Sequence, residues 1–339
     1  MSRQTRTLHE GYAANRDFIA MMLPLYLMAF FYYGPRVLAL ALIAVITARI
    51  SDRVAAALRR HRYDSTENSS VVIALAIVLM MPATVRFRVV IAAVLIAVLV
   101  AKAAFGGWQS YPFNPVAVGF CAATVSWPDE MMHYPAPLNW MLQSSASFDG
   151  LWKMWTFDGA ALVEGPSATL QAGGLPKIDM WSMLLGNYAG PLGATCTVVI
   201  IACAIFLVVK KRMSLVAPLC FLATVALLVF IFPRYSEISF QTLPYDIPQR
   251  LQTVAYELLG GAMLFAAVFL IPEPGTLPKN TLSRVIYGVL LGVAALLFRY
   301  FGTYELGFCF GMLIVNAVSG YFDRAIAQRP ARRKGVIQP

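Results

Sequence analysis

Long apolar runs separated by short polar segments dominate the pattern of hydrophobic and polar positions along the chain. A helix that crosses the roughly 30 Å hydrocarbon core of a bilayer needs about 20 mostly apolar residues, and about ten runs reach or approach that length. In chain order the runs are 17–33, 35–51, 71–84, 88–105, 114–127, 191–209, 214–232, 255–271, 284–301 and 305–322. The third and fifth runs are short, and Pro82 and the Asn114-Pro115 pair interrupt them or begin them. The pattern predicts an all-α polytopic membrane protein with about ten transmembrane helices, some of which stop or kink inside the protein.

The composition supports this interpretation, because 59% of the 339 residues are hydrophobic and only 13% are charged. A mean hydropathy of +0.66 excludes an ordinary water-soluble domain. We expect one transmembrane domain over residues 17–324, with an N-terminal segment (1–16) before it and a basic tail (325–339) after it. A long polar segment, 128–190, forms a loop between the fifth and sixth apolar runs.

The net charge of +10 does not indicate a nucleic-acid-binding protein, because the basic residues form short clusters beside apolar runs. Such clusters orient a membrane protein, since Lys and Arg are in excess on its cytoplasmic side. With ten spans, most of the 27 Lys and Arg residues fall on the side of the two termini, whereas Arg250 and Arg299 fall on the other side. We therefore expect both termini in the cytoplasm and the segment 128–190 outside it.

Two parts of the chain have a similar order of features. Segments 80–107 and 271–302 each run from a proline-containing turn through an apolar run to Phe-Gly, and each precedes a run that carries an asparagine, Asn114 or Asn316. With five runs per half, the two copies would have opposite orientations, which is typical of an inverted-repeat membrane fold. The alternative is that any two apolar hairpins align this well.

The sequence offers no pattern for a metal site. The three histidines lie in polar segments without a second histidine at helical spacing, so solvated loop positions explain them. Five cysteines lie within or beside apolar runs without a Cys-x-x-Cys motif, which is typical of buried small hydrophobic residues. They are Cys121, Cys196, Cys203, Cys220 and Cys309.

Three polar residues in apolar runs are candidates for an ion path. Ionised side chains are costly in hydrocarbon, so Glu257 and Lys102 are functional candidates, although Glu257 near a run end also fits an interfacial role. Asn114 precedes Pro115 after an aromatic and glycine-containing stretch. That order fits a re-entrant element, or simple capping of a helix by Asn114 with proline at its first position.

The segment LLGNYAGPLGATC, residues 184–196, concentrates small residues around Asn187 at the start of an apolar run. Small side chains let a backbone approach a planar ligand or another helix closely. The segment is therefore a candidate for cofactor binding through Asn187, with helix packing as the alternative.

Three stretches together resemble one known family. They are FGGWQSYPFNPVAVGF (105–120), LLGNYAGPLGATC (184–196) and RVIYGVLLGVAALLFRYFGTYELGFCFGMLIVNAVSGYFDR (284–324). The chain from about residue 70 to 324 resembles the D subunit of the Rnf electron-transport complex and, more distantly, the B subunit of the sodium-pumping NADH:quinone reductase. The resemblance implies a ten-helix fold of two inverted five-helix halves, like that of urea transporters.

The resemblance also implies two flavins. Family members carry FMN on a threonine hydroxyl, through a phosphoester, in a Ser/Thr-Gly-Ala-Thr loop, and the matching position here is Thr169 in PSAT. Ser167 and Ala168 belong to this motif, although Pro166, Ser167 and Val163 depart from the family pattern. We expect Ser167, Ala168, Asn187 and Asn114 to contribute to flavin binding. A non-covalent riboflavin is implied near the cytoplasmic side.

The implied function is that of a flavin-carrying subunit of an ion-translocating ferredoxin:NAD oxidoreductase in a prokaryotic inner membrane, coupled to Na⁺ or H⁺ movement. Such a subunit positions flavins and has no complete active site of its own. Its implied partners are a second flavinylated subunit, a membrane pair with an iron-sulfur centre, and a cytoplasmic iron-sulfur and flavin module. Alternatives are the quinone reductase subunit, a non-redox solute channel of the same fold, and a structural scaffold.

Overall fold

The computed structural model describes residues 3–60, 64, 66–137, 162–163, 165–234, 246–302 and 306–334, and most of them are helical. The helices are α1 (Arg3–Tyr33), α2 (Arg36–Leu58), α3 (Ser69–Leu79), α4 (Phe87–Leu95), α5 (Pro115–Ser126), α6 (Pro128–Met132), α7 (Pro166–Gln171), α8 (Met180–Leu185), α9 (Thr197–Val209), α10 (Val216–Ile231), α11 (Ile247–Leu259), α12 (Met263–Phe265), α13 (Thr281–Phe301) and α14 (Phe308–Lys334). Short π-helical segments continue α4 (Ile96–Ala103) and α12 (Ala266–Leu270). The prediction of a mainly helical chain is confirmed.

Helix α2 presents a stripe of large apolar side chains on its exposed surface. Its exposed residues recur at every fourth position, which places them on one face of the helix. They are Leu38, Leu42, Ile46, Ile50, Val54 and Leu58. Leu40, Ala44 and Ala48 on the same helix are fully buried. Water-soluble monomers rarely expose a contiguous apolar surface of this size, so the stripe is suited to contact with lipid chains.

The described helices differ in how well each is suited to crossing a membrane. By length and hydropathy alone, α13 qualifies, and α11 with the α12 segment qualifies as a second span if this bent pair is counted as one. Helices α3, α5, α9 and α10 are apolar but shorter. Each of the predicted apolar runs contains a helix, while the number of crossings and the inverted repeat remain predictions.

Helix α3 explains why the third apolar run is short. Every residue from Ser69 to Leu79 is buried, so the helix passes through the interior of the protein. At its end, the backbone N–H of Gly193 donates to Leu79 O (2.9 Å) and that of Leu192 donates to Met81 O (3.0 Å). Because the chain after α8 satisfies these terminal carbonyls, α3 can end inside the protein.

Helix α5 begins in the capping arrangement. Asn114 Oδ1 accepts from the backbone N–H groups of Val116 (2.9 Å) and Ala117 (3.3 Å), with Pro115 at the first helical position. The Asn114 side chain also donates to Leu270 O (3.0 Å), at the end of the π-helical segment after α12. Asn114 therefore fixes the start of α5 against the second half of the chain.

A sharp bend separates α11 from α12. The two helices meet at 61°, and the turn between them contains Gly260, Gly261 and Ala262. Gly261 (φ +63°) and Ala262 (φ +59°) both adopt the left-handed conformation, which carries a steric cost for alanine. The bend leaves the last carbonyl groups of α11 without helical partners, so other residues must satisfy them.

The described parts of segment 128–190 form short elements at one end of the helices. Strand β1 (Tyr134–Pro135) pairs antiparallel with β2 (Leu162–Val163). Helices α7 and α8 follow β2, and four buried side chains form an apolar cluster between α7, α8 and the end of α11. The cluster consists of Leu170, Met183, Tyr188 and Tyr256.

Candidate functional site

Thr169 lies on α7 with its side chain exposed. The helix ends in a tight turn in which Gly173 has φ +81°. There the backbone N–H of Gly174 donates to Thr169 O (3.0 Å), and that of Gly173 donates to Leu170 O (3.0 Å). This is a Schellman motif, which usually has glycine at the left-handed position. The sequence PSATLQAGG therefore folds into one short helix with a fixed end.

Packing holds α7 against the ends of α11 and α13. Leu170 is fully buried in the apolar cluster with Met183, Tyr188 and Tyr256. Gln171 Nε2 donates to Gly302 O (3.0 Å), immediately after α13. Thr169 thus stands on the exposed side of a helix whose opposite side is anchored.

The surroundings of Thr169 are suited to a large group on its oxygen. Its neighbours Ala168, Ala172, Gly173 and Gly174 are small, and the exposed hydroxyl can be approached from solvent. A phosphoester needs only a free hydroxyl and room for the phosphate and its substituent, so these residues fit a covalently attached FMN. The side chain of Ser167 lies outside the described residues.

Two asparagines predicted to bind flavin have different surroundings. Asn187 is exposed and follows Gly186 (φ +85°), and its backbone N–H donates to Ser182 O (2.8 Å) at the end of α8. Asn114 is buried, and its side chain makes the capping and bridging hydrogen bonds described above. Asn187 thus belongs to the same exposed region of the chain as α7, whereas Asn114 has a structural role at the start of α5.

A second polar site surrounds Lys102, near the end of the π-helical segment after α4. The Lys102 side chain is only 5% exposed, although it carries a charge. Its Nζ atom lies 2.6 Å from Glu67 Oε1 and 3.3 Å from Asp52 Oδ1, and it donates to Ser70 Oγ (2.7 Å). The buried ammonium group therefore has three oxygen partners from α2, from the start of α3 and from the segment just before it.

A cavity of about 640 Å³ opens beside Lys102. Charged residues and the Trp108 ring line it, and Gly106 and Gly107 at its wall both have positive φ. The lining includes Asp52, Arg59, Asp64, Glu67 and Lys102. The cavity is therefore lined by charged side chains and one aromatic residue, and convergent polar groups of this kind are typical of small-molecule sites.

Tyr12 of α1 packs against this part of the protein. Tyr12 Oη donates to Asp64 Oδ2 (2.7 Å), and the rings of Tyr12 and Trp108 lie 5.8 Å apart. Burial and the hydrogen bond to Asp64 raise the pKa of Tyr12 to about 12. Hydrogen bonds from Thr66 and Tyr12 hold the pKa of Asp64 below its ordinary value. α1 is therefore connected by polar contacts to one wall of the cavity.

The third polar site joins Glu257 on α11 to Arg299 on α13. Arg299 Nε lies 2.8 Å from Glu257 Oε2, and their side chains are 1% and 0% exposed. Arg299 Nη1 also donates to Glu257 O (2.9 Å) and to Gly260 O (3.3 Å), at the bend between α11 and α12. Arg299 thus satisfies the free carbonyl groups at the end of α11. The charge pattern used Arg299 only as a residue on the non-cytoplasmic side of the membrane, whereas the structure buries it in an ion pair.

Sequence reasoning selected Lys102 and Glu257 but not their partners. Asp52 and Glu67 are separated from Lys102 by 50 and 35 residues, and Arg299 lies 42 residues after Glu257. No local spacing links these residues. The only sequence signal for these partners was that Asp52 and Arg299 lie close to or within long apolar runs. Among the described residues, no group of three or more His, Cys, Asp or Glu side chains could hold a metal ion.

Comparison with known proteins gives a consistent result. The model of the NQR2, RnfD, RnfE family matches residues 4–332. The chain is 24% identical over 294 residues to the D subunit of the proton-translocating ferredoxin:NAD(+) oxidoreductase complex of Clostridium ljungdahlii, covering 87% of this chain and 83% of that protein. It is 24% identical over 315 residues to the D subunit of the ion-translocating oxidoreductase complex of Escherichia coli K12 (86% of each chain). The corresponding Haemophilus influenzae protein is 26% identical over 325 residues, which cover 88% of this chain and 87% of that protein.

Proposed function

The chain belongs to the NQR2, RnfD, RnfE family, and we propose that it is the flavin-carrying membrane subunit of an ion-translocating ferredoxin:NAD oxidoreductase complex. Family membership confirms the resemblance carried by residues 105–120, 184–196 and 284–324. The relatives named above are D subunits of ion-translocating oxidoreductase complexes, and each is aligned over most of its length. The role of this chain is therefore to position electron carriers inside a larger assembly, without a complete active site of its own.

The observation that carries the proposal is the exposed Thr169 hydroxyl on an anchored helix. In this proposal, Thr169 Oγ1 holds FMN through a phosphoester, and the flavin supplies one- and two-electron chemistry. Leu170 and Gln171 fix α7 in place, so the attachment point is rigid. Ser167 and Ala168 precede Thr169 in the same short helix, and Asn187 lies in an exposed segment after α8. A rigid attachment point keeps the carrier at a constant distance from its electron donor and acceptor.

We assign the second flavin, riboflavin, to the cavity beside Lys102. The volume of the cavity and the presence of Trp108 support this assignment. In it, Trp108 offers an aromatic face, while Lys102 and Arg59 offer donors to carbonyl oxygens. The positive φ values of Gly106 and Gly107 let the backbone turn closely around the cavity. By the charge pattern, this cavity lies on the cytoplasmic side.

The proposed ion path involves Lys102, Glu257 and Asn114. All three are buried polar residues close to points where helices end, bend or change to π-helical geometry. Helices that break inside a membrane protein often line ion sites, because freed backbone groups and side chains meet there. The coupled ion is Na⁺ or H⁺.

The proposed fold has about ten transmembrane helices in two inverted halves of five. The packing pattern supports this, since α2 packs against α4 and α4 against α5 in the first half, and α10 packs against α13 and α13 against α14 in the second. Contact between α5 and α14 joins the two halves. The apolar stripe of α2 supports contact with membrane lipid. The proposed location is a prokaryotic inner membrane, with the termini cytoplasmic and Thr169 outside the cytoplasm.

The proposed partners are the other subunits of the complex. They comprise a second flavinylated subunit on the same side as Thr169, a membrane pair that holds an iron-sulfur centre, and a cytoplasmic iron-sulfur and flavin module. Thr169 lies at one end of the helices, and the Lys102 cavity lies elsewhere in the fold. This separation supports a role in which the chain receives electrons at one flavin and delivers them at the other.

In-gel fluorescence tests the covalent flavin. The purified chain, produced with a flavin transferase, is separated on a denaturing gel and viewed under ultraviolet light beside Thr169→Val. Ser126→Ala is the matched control, because it removes an exposed hydroxyl at the end of α5, outside the motif. We expect fluorescence in the wild type and in Ser126→Ala and none in Thr169→Val. An absence of fluorescence in the wild type would contradict the proposal and favour a non-redox channel or scaffold.

The quinone reductase B subunit is the second candidate, because the matching family model includes NQR2. The two candidates use different electron partners. Assays of the intact complex with ferredoxin and NAD, and separately with NADH and ubiquinone, discriminate them. Reduction of ubiquinone without any ferredoxin reaction would favour the second candidate.

A further inference from the structure

Helix α8 lies beside the ends of two longer helices, α1 and α9. Tyr32 Oη, near the end of α1, donates to Leu185 O (3.0 Å) at the end of α8. Gly186 follows α8 and approaches the start of α9 so closely that an added Cβ would lie 2.9 Å from Cys196 N. Helices α8 and α9 also contact each other directly. The short helix therefore occupies a fixed place where α1 ends and α9 begins.

Both of these longer helices have an apolar outward face. On α9, the large exposed apolar side chains are three or four positions apart, which places them on one face. They are Val198, Ile201, Ile205 and Val209. On α1, Leu23 and Leu27 are exposed and four positions apart. Apolar surface of this extent is costly in water and is suited to contact with lipid chains. The surface suited to lipid thus runs along α1 and α9 toward the ends that adjoin α8.

Helix α8 also has an apolar outer face. Trp181 is 71% exposed and Leu185 is 50% exposed, and because they are four positions apart they lie on one face of the helix. The helix sequence, MWSMLL, contains no charged residue. Asp179, which precedes the helix, is exposed, and its side chain accepts from the Trp181 backbone N–H (3.3 Å). Helix α8 therefore combines an apolar outer face with a charged group only at its beginning.

The position and composition of this face favour the interface between membrane and water as its surroundings. Tryptophan is enriched at that depth, because its ring is apolar while its Nε1–H can donate to headgroup oxygens or water. Leu185 adds an apolar side chain, which gains free energy when lipid removes it from water. Since the faces of α1 and α9 that are suited to lipid reach the ends that adjoin α8, the edge of the bilayer lies at the level of this helix.

We infer that α8 is an interfacial anchor, with Trp181 and Leu185 inserted at the headgroup level of the leaflet nearest Thr169. The opposite side of α8 carries Met183, which is fully buried in the apolar cluster with Leu170, the residue after Thr169. Contact with lipid on one side of α8 and with this cluster on the other keeps α7 close to the membrane surface. The anchor does not depend on a flavin. Its consequence, that the covalent flavin is held at the membrane surface, rests on the proposed function.

Tryptophan fluorescence tests the anchor in proteoliposomes that contain the full chain. The quenchers are phospholipids with bromine near the headgroup end of the acyl chain, phospholipids with bromine near its methyl end, and iodide in the water. The emission of Trp181 is the difference between the wild type and Trp181→Phe. Trp127→Phe gives the matched comparison, because Trp127 packs against the core. We expect the Trp181 emission to be lost most strongly with the shallow bromine, and more strongly than the Trp127 emission.

The same measurement in the intact complex separates lipid from other occupants of this face. Trp181 emission that the shallow bromine quenches in the complex supports the anchor. Emission that iodide quenches and bromine does not would overturn it, because α8 would then face water. Emission that a partner subunit or a second copy of the chain shields from both quenchers would overturn it as well, and so would a Trp181 emission no more sensitive to bromine than that of Trp127.

The consequence for the flavin has a separate test. A phospholipid with a spin label on its headgroup quenches nearby flavin fluorescence, and we expect this quenching to weaken in Trp181→Ser, which lacks the interfacial ring. Lys177→Ser is the matched control, because Lys177 is exposed just before α8. Equal quenching in the wild type and Trp181→Ser would overturn the role of α8 in positioning the flavin. A wild type without covalent flavin would instead contradict the proposed function and leave the tryptophan result unaffected.

Discussion

Lys102 Nζ lies 2.6 Å from Glu67 Oε1, so a lysine near the end of one helix is neutralised by a carboxylate that precedes another helix. Asp52 provides a second negative charge at 3.3 Å. The three side chains come from separate parts of the chain and meet beside a cavity of about 640 Å³. This site therefore joins α2, α3 and the π-helical segment after α4.

The pair predicts the effect of removing the ammonium group. Lys102→Met leaves two partly buried carboxylates without their cation, and loss of one partner of a buried ion pair costs on the order of 3 kcal/mol. We expect a clearly lower unfolding temperature in detergent, measured by intrinsic fluorescence. Lys177→Met is the control, because Lys177 is exposed, and it should change the unfolding temperature little. Equal unfolding temperatures for the two variants would contradict the conclusion that the ion pairs of Lys102 stabilise the fold.

Helix packing predicts a second effect. A Cβ atom on Gly288 of α13 would lie 2.5 Å from Ala217 O and 2.8 Å from Cys220 Cβ on α10. Small residues at such contacts let membrane helices approach closely, and overpacking costs about 1–3 kcal/mol. Gly288→Ala should therefore destabilise the protein in thermal unfolding. Gly320→Ala, where nothing lies within 4 Å of the added atom, should not, and a similar loss in both variants would refute the packing argument.

The Tyr12 and Asp64 contact predicts how stability changes with pH. The lowered pKa of Asp64 means that its contribution is present above the unfolded value near pH 4 and is lost as the pH falls through the folded value. The pKa of Tyr12, raised to about 12, means that its contribution is present below about pH 10 and is lost as the pH rises toward 12. Between these limits the contact should contribute no pH dependence.

Two variants separate these contributions. Tyr12→Phe should remove part of the loss of stability in alkali, and Asp64→Asn should remove part of the loss in acid. Both are measured as unfolding temperature against pH in detergent. The exposed Asp129→Asn serves as a comparison, since Asp129 does not contact Tyr12. A Tyr12→Phe profile that parallels the wild type above pH 10 would show that the hydrogen bond does not contribute.

The sequence predicted where helices occur better than how they meet. Apolar runs located the helices because burial and lipid contact both require apolar residues over consecutive turns. The Asn114-Pro115 pair permitted two arrangements, and the structure has the capping one, in which Asn114 also donates to Leu270 O. That contact spans 156 residues, and no local pattern records it.

The candidate sites also depend on long-range contacts that no local sequence pattern records. Glu257 and Lys102 could be selected because an ionisable residue in an apolar run is costly. Their partners Arg299 and Glu67 could not be selected, because each lies at a run boundary, where a charged residue is ordinary. Thr169 came from a motif and not from periodicity. The cluster that anchors α7 combines residues from three separate segments, so only the folded chain shows why Thr169 has a fixed position.

That cluster gives the last prediction. Leu170→Ala removes a fully buried side chain between Met183, Tyr188 and Tyr256, and such truncations cost about 2–5 kcal/mol. The Thr169 hydroxyl remains, so we expect the flavin still to be attached, as judged by in-gel fluorescence. Because α7 loses its anchor, the fluorescence anisotropy of the flavin should fall. Leu162→Ala is the matched control, since Leu162 is 55% exposed on β2, and it should leave the anisotropy unchanged. Unchanged anisotropy in Leu170→Ala would mean that packing beneath α7 does not hold the flavin in place, and a rigid attachment would then have to come from contacts made by the flavin itself.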